Sequence, residues 1–228
     1  SGEGGDELFG GYGRYRSALR PWWQGGRMMR ARGIVEGLGI LRDESASWRD
    51  AIAAAEVTAT KPMRSRLQIA QAADITDWLP NDLLTKLDRC LMAHGVEGRT
   101  PFLDTKVAEA VFRRPDNLKI HRQHGKWILR RWLDRIMPSA SAFERKRGFT
   151  VPVGEWIFKQ GANVGPLVAA NPAIAEACRP NQVVALYKST KKRARLAGWV
   201  LLFYSLWHLR HVQGRQPEGD VFDVLSAI

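Results

Sequence analysis

The chain has 228 residues, of which 45% are hydrophobic and 25% are charged. This composition suits one packed domain, or the larger part of one, and excludes global disorder. Its two cysteines, at positions 90 and 178, are far apart, which excludes a disulfide framework and a structural zinc site. No apolar run approaches the roughly 18 residues of a membrane span, which excludes a transmembrane helix. The formal net charge of +12 predicts an anionic partner, such as nucleic acid, anionic lipid or a phosphate compound.

The predicted elements are mostly helices. Six glycines within residues 1–13 exclude a regular helix throughout that segment. Helices are predicted over residues 47–73, with an interruption at Pro62, and over 81–94, after a break at 77–80. A loop is predicted over 138–152, and the remaining predicted helices are 105–113, 126–136, 153–158 and 196–212. Strand signals are few, so this piece is predicted to be mainly α, with a weakly ordered tail over residues 213–228.

The first segment combines glycines with carboxylates. Glycines allow a loop to pass close to a ligand because they lack a Cβ atom, and backbone amides in such a turn can face phosphate oxygens. The carboxylates of Glu3, Asp6 and Glu7 would repel a phosphate unless a cation lay between them. The pattern therefore predicts a Mg²⁺-phosphate site with Asp6 as an oxygen ligand, and an ordinary acidic turn is the alternative.

The whole segment has a more specific resemblance. Residues 1–12 read Ser-Gly-Glu-Gly-Gly-Asp-Glu-Leu-Phe-Gly-Gly-Tyr, which resembles the signature of the synthetase domain in the asparagine synthetase family of ATP pyrophosphatases. Further blocks resembling that family follow in order at residues 79–89, 92–104, 125–130 and 145–156. The resemblance is strong to about residue 158 and general beyond it. It implies that residues 1–212 are the C-terminal portion of an α/β domain of the adenine-nucleotide α-hydrolase-like (ATP pyrophosphatase) type, whose parallel strands mostly lie upstream of Ser1.

The resemblance implies a two-step reaction with ATP and Mg²⁺ as cofactors. A substrate carboxylate attacks the α-phosphate of ATP to give an acyl-adenylate and pyrophosphate, and ammonia then displaces AMP to form an amide. By resemblance, Asp6 binds the Mg²⁺ and Glu3 assists formation of both the adenylate and the amide. Ser1, Gly2 and Gly4 match positions whose backbone contacts the nucleotide and substrate.

Other blocks imply further site residues, each with an alternative interpretation. Lys146 matches a lysine that neutralises phosphate charge, although it could be a solvated lysine in a basic loop. Arg99 matches a substrate-recognition arginine, and the alternative is a structural ion pair with Glu97 or Asp104. Asp82 and Lys86 lie one helical turn apart and either face the substrate or pair with each other.

Three hypotheses remain open at this stage. The first is amidation of aspartate, and the second is amidation of another carboxylate, in cell-surface polysaccharide or secondary-metabolite pathways. The third is a non-catalytic basic binding module, which the basic cluster at residues 188–195 would favour, although no nucleic-acid-binding module is recognisable. The family's pyrophosphate loop and glutaminase cysteine do not occur in these residues. We therefore expect the piece alone to be inactive. We expect its full-length parent to be cytoplasmic and to receive ammonia from a glutaminase domain. The parent is also expected to need neither nucleic acid nor membrane, and to be able to form a homodimer.

Overall fold

The structure is a computed structural model that describes residues 1–26, 33–44, 50–144 and 152–226. The chain forms two compact units, whereas the sequence predicts one partial domain over residues 1–212. The first unit comprises Ser1–Ala31 with Trp48–Lys146, and the second comprises Arg32–Ser47 with Arg147–Ile228. No helix in the described ranges is long and apolar enough to cross a membrane.

The first unit is mainly helical, as the sequence predicts. Its α-helices are α1 (Gly5–Phe9), α2 (Gly13–Leu19), α3 (Asp50–Ala59), α4 (Arg66–Ala73), α5 (Thr85–Met92), α6 (Thr105–Phe112), α7 (Asp116–Lys119) and α8 (Trp127–Ile136). Short 3₁₀ turns lie at Trp22–Gln24, Pro101–Leu103 and Pro138–Ala140. One antiparallel hairpin joins β1 (Ile120–His121) to β2 (His124–Gly125). In the described residues the regular strands are confined to this hairpin.

Helix α4 begins at a well-defined cap. The Ser65 side chain accepts a hydrogen bond from the backbone of Gln68, and the Gln68 side chain accepts one from the backbone of Ser65. This reciprocal capping satisfies two backbone donors that the helix itself leaves without partners. The interruption predicted at Pro62 is confirmed, because α3 ends at Ala59 and α4 begins only at Arg66.

The break predicted at residues 77–80 is wrong. A π-helix runs continuously over Asp74–Leu84 and joins α4 to α5, with Pro80 in its interior. A proline lacks an N–H donor and clashes with a carbonyl of the preceding turn in an α-helix. In a π-helix each hydrogen bond spans five residues instead of four, so the carbonyl that faces the proline ring is a different one. The Thr85 hydroxyl donates to the Pro80 carbonyl at 2.9 Å.

The second unit is a helical cluster with its own core. Its helices are α9 (Val153–Lys159), α10 (Gly161–Ala170), α11 (Pro172–Ala177), α12 (Pro180–Tyr187), α13 (Lys192–His211) and α14 (Val221–Ser226). The core includes Val168, Val183, Ala197 and Leu225, all fully buried. Leu225 lies in the segment for which the sequence predicts weak order, so part of that segment packs into this core.

The basic cluster at residues 188–195 is partly structural. The Arg193 guanidinium donates to the backbone carbonyls of Gly33 at 3.0 Å and Ile34 at 3.2 Å, and to that of Glu36. These bonds anchor the segment that contains residues 33–36 within its unit. Lys191 and Lys192 are exposed, as expected for a solvated helix start.

Candidate functional site

Helix α1 carries the acidic residues of the first motif. Its N-cap is Gly4, with φ at +85°, a conformation that glycine adopts without strain. A Cβ atom at this position would also collide with the side chain of Leu103. The rings of Phe9 and Phe102 meet edge to face, with centroids 5.5 Å apart. The structure thus brings the first motif against the block at residues 92–104.

Asp6 forms an ion pair with Lys126, across 120 positions of sequence. The Lys126 Nζ atom lies 3.2 Å from Asp6 Oδ1. Lys126 is the N-cap of α8 and has φ at +54°, which is unusual for a residue with a side chain. Its backbone N–H donates to the carbonyl of Phe9 at 2.9 Å. The end of α1 therefore holds the start of α8, and this contact places the ammonium group beside the carboxylate.

Gly11 leaves the space that this ion pair occupies. A Cβ atom at Gly11 would collide with Asp6 Oδ1 and would lie 2.6 Å from the Cε atom of Lys126. Gly125, which precedes Lys126, approaches the Gly10 carbonyl too closely for any side chain. Glycines in two separate blocks are therefore needed so that one carboxylate and one ammonium can meet against bare backbone.

The ion pair lies in the wall of a cavity of about 870 Å³. Its volume is in the range of small-molecule binding sites. Its charged lining residues are Asp6, Arg16, Lys126, Arg130 and Glu144, so cations outnumber anions. Two of these cations also bind backbone, since Arg16 donates to the Gln123 carbonyl, and Arg130 donates to the carbonyls of Gly125 at 3.0 Å and of Ala142. These bonds orient two guanidinium groups at the cavity wall.

Glu7, although it belongs to the acidic motif, has a structural partner. It is buried, and its Oε1 accepts from the Tyr12 hydroxyl at 2.6 Å. Burial, followed by this bond to the carboxylate, raises the pKa of Tyr12, so the hydroxyl stays protonated and continues to donate. In the next helix, α2, Arg14 donates two hydrogen bonds to the buried carboxylate of Asp74, at 3.1 and 2.8 Å.

The other predicted residues of the first motif lie outside the cavity wall. The backbone of Glu3 donates to the Ser1 hydroxyl at 3.3 Å, and the nitrogen of Ser1 donates to the Arg99 carbonyl at 2.7 Å. Space beside Gly2 is open. None of these residues lines the cavity that contains Asp6, and their roles stay predictions.

The predicted substrate residues are not brought to Asp6 in the described part of the chain. The Arg99 guanidinium pairs with Glu97 at 3.0 Å, with both side chains more than two-thirds exposed at 81% and 71%. This is the alternative that the sequence left open, and an ion pair so exposed contributes little stability. Asp104 instead caps α6, accepting from the backbone of Lys106 at 2.9 Å.

Asp82 and Lys86 lie on the π-helix and on α5. They do not line the cavity, and the ion pairs found among the described residues do not join them to each other. Their role in substrate binding stays a prediction. Lys146 belongs to residues 145–151, which lie outside the described residues.

The donor set around Asp6 fits a metal that arrives with phosphate. No group of three or more His, Cys, Asp or Glu side chains suited to a metal occurs among the described residues. Mg²⁺ is commonly bound through one or two carboxylates, with phosphate oxygens and water completing its coordination. Two carboxylates, Asp6 and Glu144, beside the cations Arg16, Lys126 and Arg130 in the cavity lining are therefore compatible with Mg²⁺ bound to a polyphosphate.

Lys126 is a site residue that the sequence analysis did not single out. The signal was present, because Lys126 stands in the block at residues 125–130 that resembles the family. Sequence spacing alone could not show that its side chain reaches Asp6, since this contact depends on the backbone bond between Lys126 and Phe9.

Comparison with known proteins agrees with the motifs. The family model described as asparagine synthase matches residues 1–209. A putative glutamine-hydrolysing asparagine synthetase of Mycobacterium tuberculosis (strain ATCC 25618 / H37Rv) is 29% identical over 93% of this chain and 39% of its own length. Glutamine-hydrolysing asparagine synthetase 1 of Bacillus subtilis (strain 168) is 27% identical over 96% of this chain and 41% of its own length.

A third relative, asparagine synthetase 3 of Bacillus subtilis (strain 168), is 28% identical over 69% of this chain. No solved structure matches. The chain spans about two-fifths of the length of the first two relatives, at 39% and 41%. The family model nevertheless covers most of the chain, and the chain therefore belongs to the asparagine synthase family.

Proposed function

We propose that this chain is the C-terminal part of the synthetase domain of a glutamine-dependent asparagine synthetase. The domain would have the α/β ATP pyrophosphatase fold. The reaction would adenylate the side-chain carboxylate of aspartate with ATP and amidate it with ammonia, giving asparagine, AMP and pyrophosphate. The observation that carries this proposal is the Asp6–Lys126 pair in a cavity whose lining also includes the guanidinium groups of Arg16 and Arg130.

The two charges of the pair have separate roles in the first step. The substrate carboxylate oxygen attacks the α-phosphorus, and the bond to the β-phosphate breaks with its electron pair leaving on pyrophosphate. Lys126 is proposed to bind phosphate oxygens, where negative charge increases during this step. Asp6 would hold Mg²⁺, which neutralises phosphate charge when bound.

The second step requires a base. The ammonia nitrogen attacks the acyl carbon, the bond to AMP breaks, and the nitrogen loses a proton. Glu3, half-buried and three residues before Asp6, is the proposed acceptor of that proton. Lys146, in a segment that the sequence predicts to be a loop, is proposed to add a second positive charge over the nucleotide.

Calorimetric titration of this chain with pyrophosphate, with and without Mg²⁺, tests the phosphate site. We expect Mg²⁺-dependent binding that Asp6→Asn abolishes and that Lys126→Met weakens by roughly ten- to a hundredfold, the range for a charge-assisted hydrogen bond. Matched controls are Asp88→Asn and Lys61→Met, which remove exposed charges of the same unit. The proposal fails if the controls weaken binding as much as the site variants, or if neither the chain nor a longer protein containing it shows affinity.

A second carboxylate substrate is favoured by one observation. The predicted substrate arginine, Arg99, is exposed and pairs with Glu97, so its surroundings in the described residues do not select aspartate over another carboxylate. Steady-state assays of a longer protein containing this chain, supplied with aspartate, ATP and ammonia, decide between the substrates. Asparagine formation supports the first candidate, and ATP–pyrophosphate exchange only with another carboxylate supports the second.

A further inference from the structure

Helix α1 is so short that most of its carbonyl groups lack helical partners. It has five residues, and the last carbonyls of any helix need donors from elsewhere. The Gly11 N–H donates to Asp6 O at 2.8 Å, and the Lys126 N–H donates to Phe9 O at 2.9 Å. The carbonyls of Glu7 and Leu8 lie between these two and face the interior.

One side chain satisfies both of the inner carbonyls. The Nε2 atom of Gln71 donates to the carbonyl of Glu7 at 2.6 Å and to that of Leu8 at 2.7 Å. An amide nitrogen has two hydrogens, so these two bonds use both of its donors. We call this pair of bonds from Gln71 to the carbonyls of Glu7 and Leu8 the clamp. Gln71 is fully buried, and water cannot replace it without opening the unit.

A buried lysine fixes which way the Gln71 amide points. Lys119 Nζ donates to Gln71 Oε1 at 3.0 Å and to the carbonyl of Phe112 at 2.8 Å, and its side chain is only 1% exposed. An ammonium group can donate but cannot accept. The amide oxygen must therefore face Lys119, and the amide nitrogen must face α1, so the clamp cannot flip.

We propose that Gln71 and Lys119 are positioning residues for Asp6. Gln71 holds the α1 backbone on the turn that begins with Asp6, and Lys119 keeps Gln71 in its working orientation. Without the clamp, α1 is free to shift, and both the Asp6 carboxylate and the Lys126 backbone bond to Phe9 shift with it. This inference rests on the proposed phosphate-binding role of Asp6, because positioning matters only if that carboxylate binds a ligand.

Two substitutions at Gln71 separate the clamp from the burial of charge. Gln71→Met fills the space but removes both the donors and the acceptor. Gln71→Glu keeps an oxygen for Lys119, and adds a negative charge beside it, but has no hydrogen for the carbonyls of Glu7 and Leu8. If pairing of Lys119 were what matters, Gln71→Glu would behave like wild type. The proposal expects both variants to fail alike.

The control is Ser65→Ala, which removes the cap of the same helix, α4, and a hydrogen bond to Asp116 at 2.9 Å, but leaves both donors of Gln71 in place. Amide hydrogen exchange is measured for the wild type and the three variants. In the Gln71 variants we expect protection to fall by at least about tenfold at the amides of Leu8, Gly11 and Lys126, beyond any loss in α2 and α6. Ser65→Ala should show no such local loss. A uniform loss across the unit overturns the proposal.

The second measurement is the affinity for pyrophosphate with Mg²⁺. Both Gln71 variants should lose at least about tenfold in affinity, because misplacing a binding group by an ångström has effects of this size or larger. Unchanged affinity together with local loss of protection shows a purely structural clamp and overturns the proposal. If neither the wild-type chain nor a longer protein containing it binds pyrophosphate, the proposed function fails, and the exchange pattern alone then decides whether Gln71 positions α1.

Discussion

Lys119 makes the stability of the first unit depend on pH in a way that can be calculated. Burial lowers the pKa of this lysine from 10.5 to about 8, against the opposing effect of Asp116. Below pH ~8 the lysine is protonated in both the folded and the unfolded chain, so its effect does not vary with pH. Between pH ~8 and ~10.5 the unfolded chain binds more protons, and the folded state gains stability as the pH rises.

The size of this gain follows from the two pKa values. From pH ~7 to ~9 the linkage relation gives about 1.4 kcal/mol of added stability for a folded pKa near 8 and an unfolded pKa near 10.5. The raised pKa values of Tyr12 and Tyr15 act in the opposite direction, since their unfolded forms begin to ionise. At pH ~9 they offset only about 0.1 kcal/mol each, because a tyrosine with a pKa near 10 is mostly still protonated.

The assay is urea unfolding at the two pH values. Unfolding is monitored through hydrogen exchange of the α4 amides, so that the signal reports on the first unit. Wild type should gain about 1 kcal/mol in unfolding free energy between pH ~7 and ~9. Lys119→Met should show no such gain, whatever its absolute stability. Lys61→Met, which removes an exposed lysine, should keep the wild-type gain. Equal pH dependence in wild type and Lys119→Met would refute the reasoning.

Three further substitutions test other contacts. Gly11→Ala should displace the Asp6–Lys126 pair and abolish Mg²⁺-dependent binding of pyrophosphate in calorimetry, whereas Gly154→Ala, whose Cβ atom would meet only an ordinary contact with Arg195 at 3.5 Å, should not. Ser65→Ala should lower the unfolding free energy of the first unit by about 1 kcal/mol through loss of its helix cap, as measured by urea denaturation. Tyr187→Phe removes a buried hydroxyl bond to the Gly198 carbonyl of 2.7 Å and should cost the second unit about 1 kcal/mol, with no effect on pyrophosphate affinity.

Most helices of the first unit could be predicted because their signals are local. The stretches that became α6 and α8 have apolar residues at helical spacing and clear ends. The π-helix could not be predicted, because proline is a strong local signal for a break and the π turn that accommodates Pro80 is rare. The buried position of Leu225 was also hidden, since α14 has only six residues and its packing depends on distant helices.

The chemistry of the candidate site could be predicted from the sequence, but the residues that contact Asp6 could not. Glycines and carboxylates in one segment identify Asp6 as an anionic centre that requires a cation. Which basic side chain reaches Asp6 in the folded chain depends on tertiary contact, and the block at residues 125–130 does not show by itself that Lys126 is that residue. The same applies to Gln71, whose side chain is an ordinary polar group of a helix until its burial and its two acceptors are known.

The contacts around α1 explain why several separate sequence blocks have to occur together. A five-residue helix cannot hold its own position, so its carbonyls are bound by Gln71 from α4 and by the backbone of Lys126 at the start of α8. Gly11 then has to be a glycine, because the ion pair of Asp6 with Lys126 occupies the place of a Cβ atom. Loss of any one of these features moves the carboxylate relative to the cations of the cavity. A site of this kind is therefore sensitive to substitutions that never touch a ligand, and Gln71→Glu, which keeps the size of the side chain and an oxygen for Lys119, is the substitution that isolates that sensitivity.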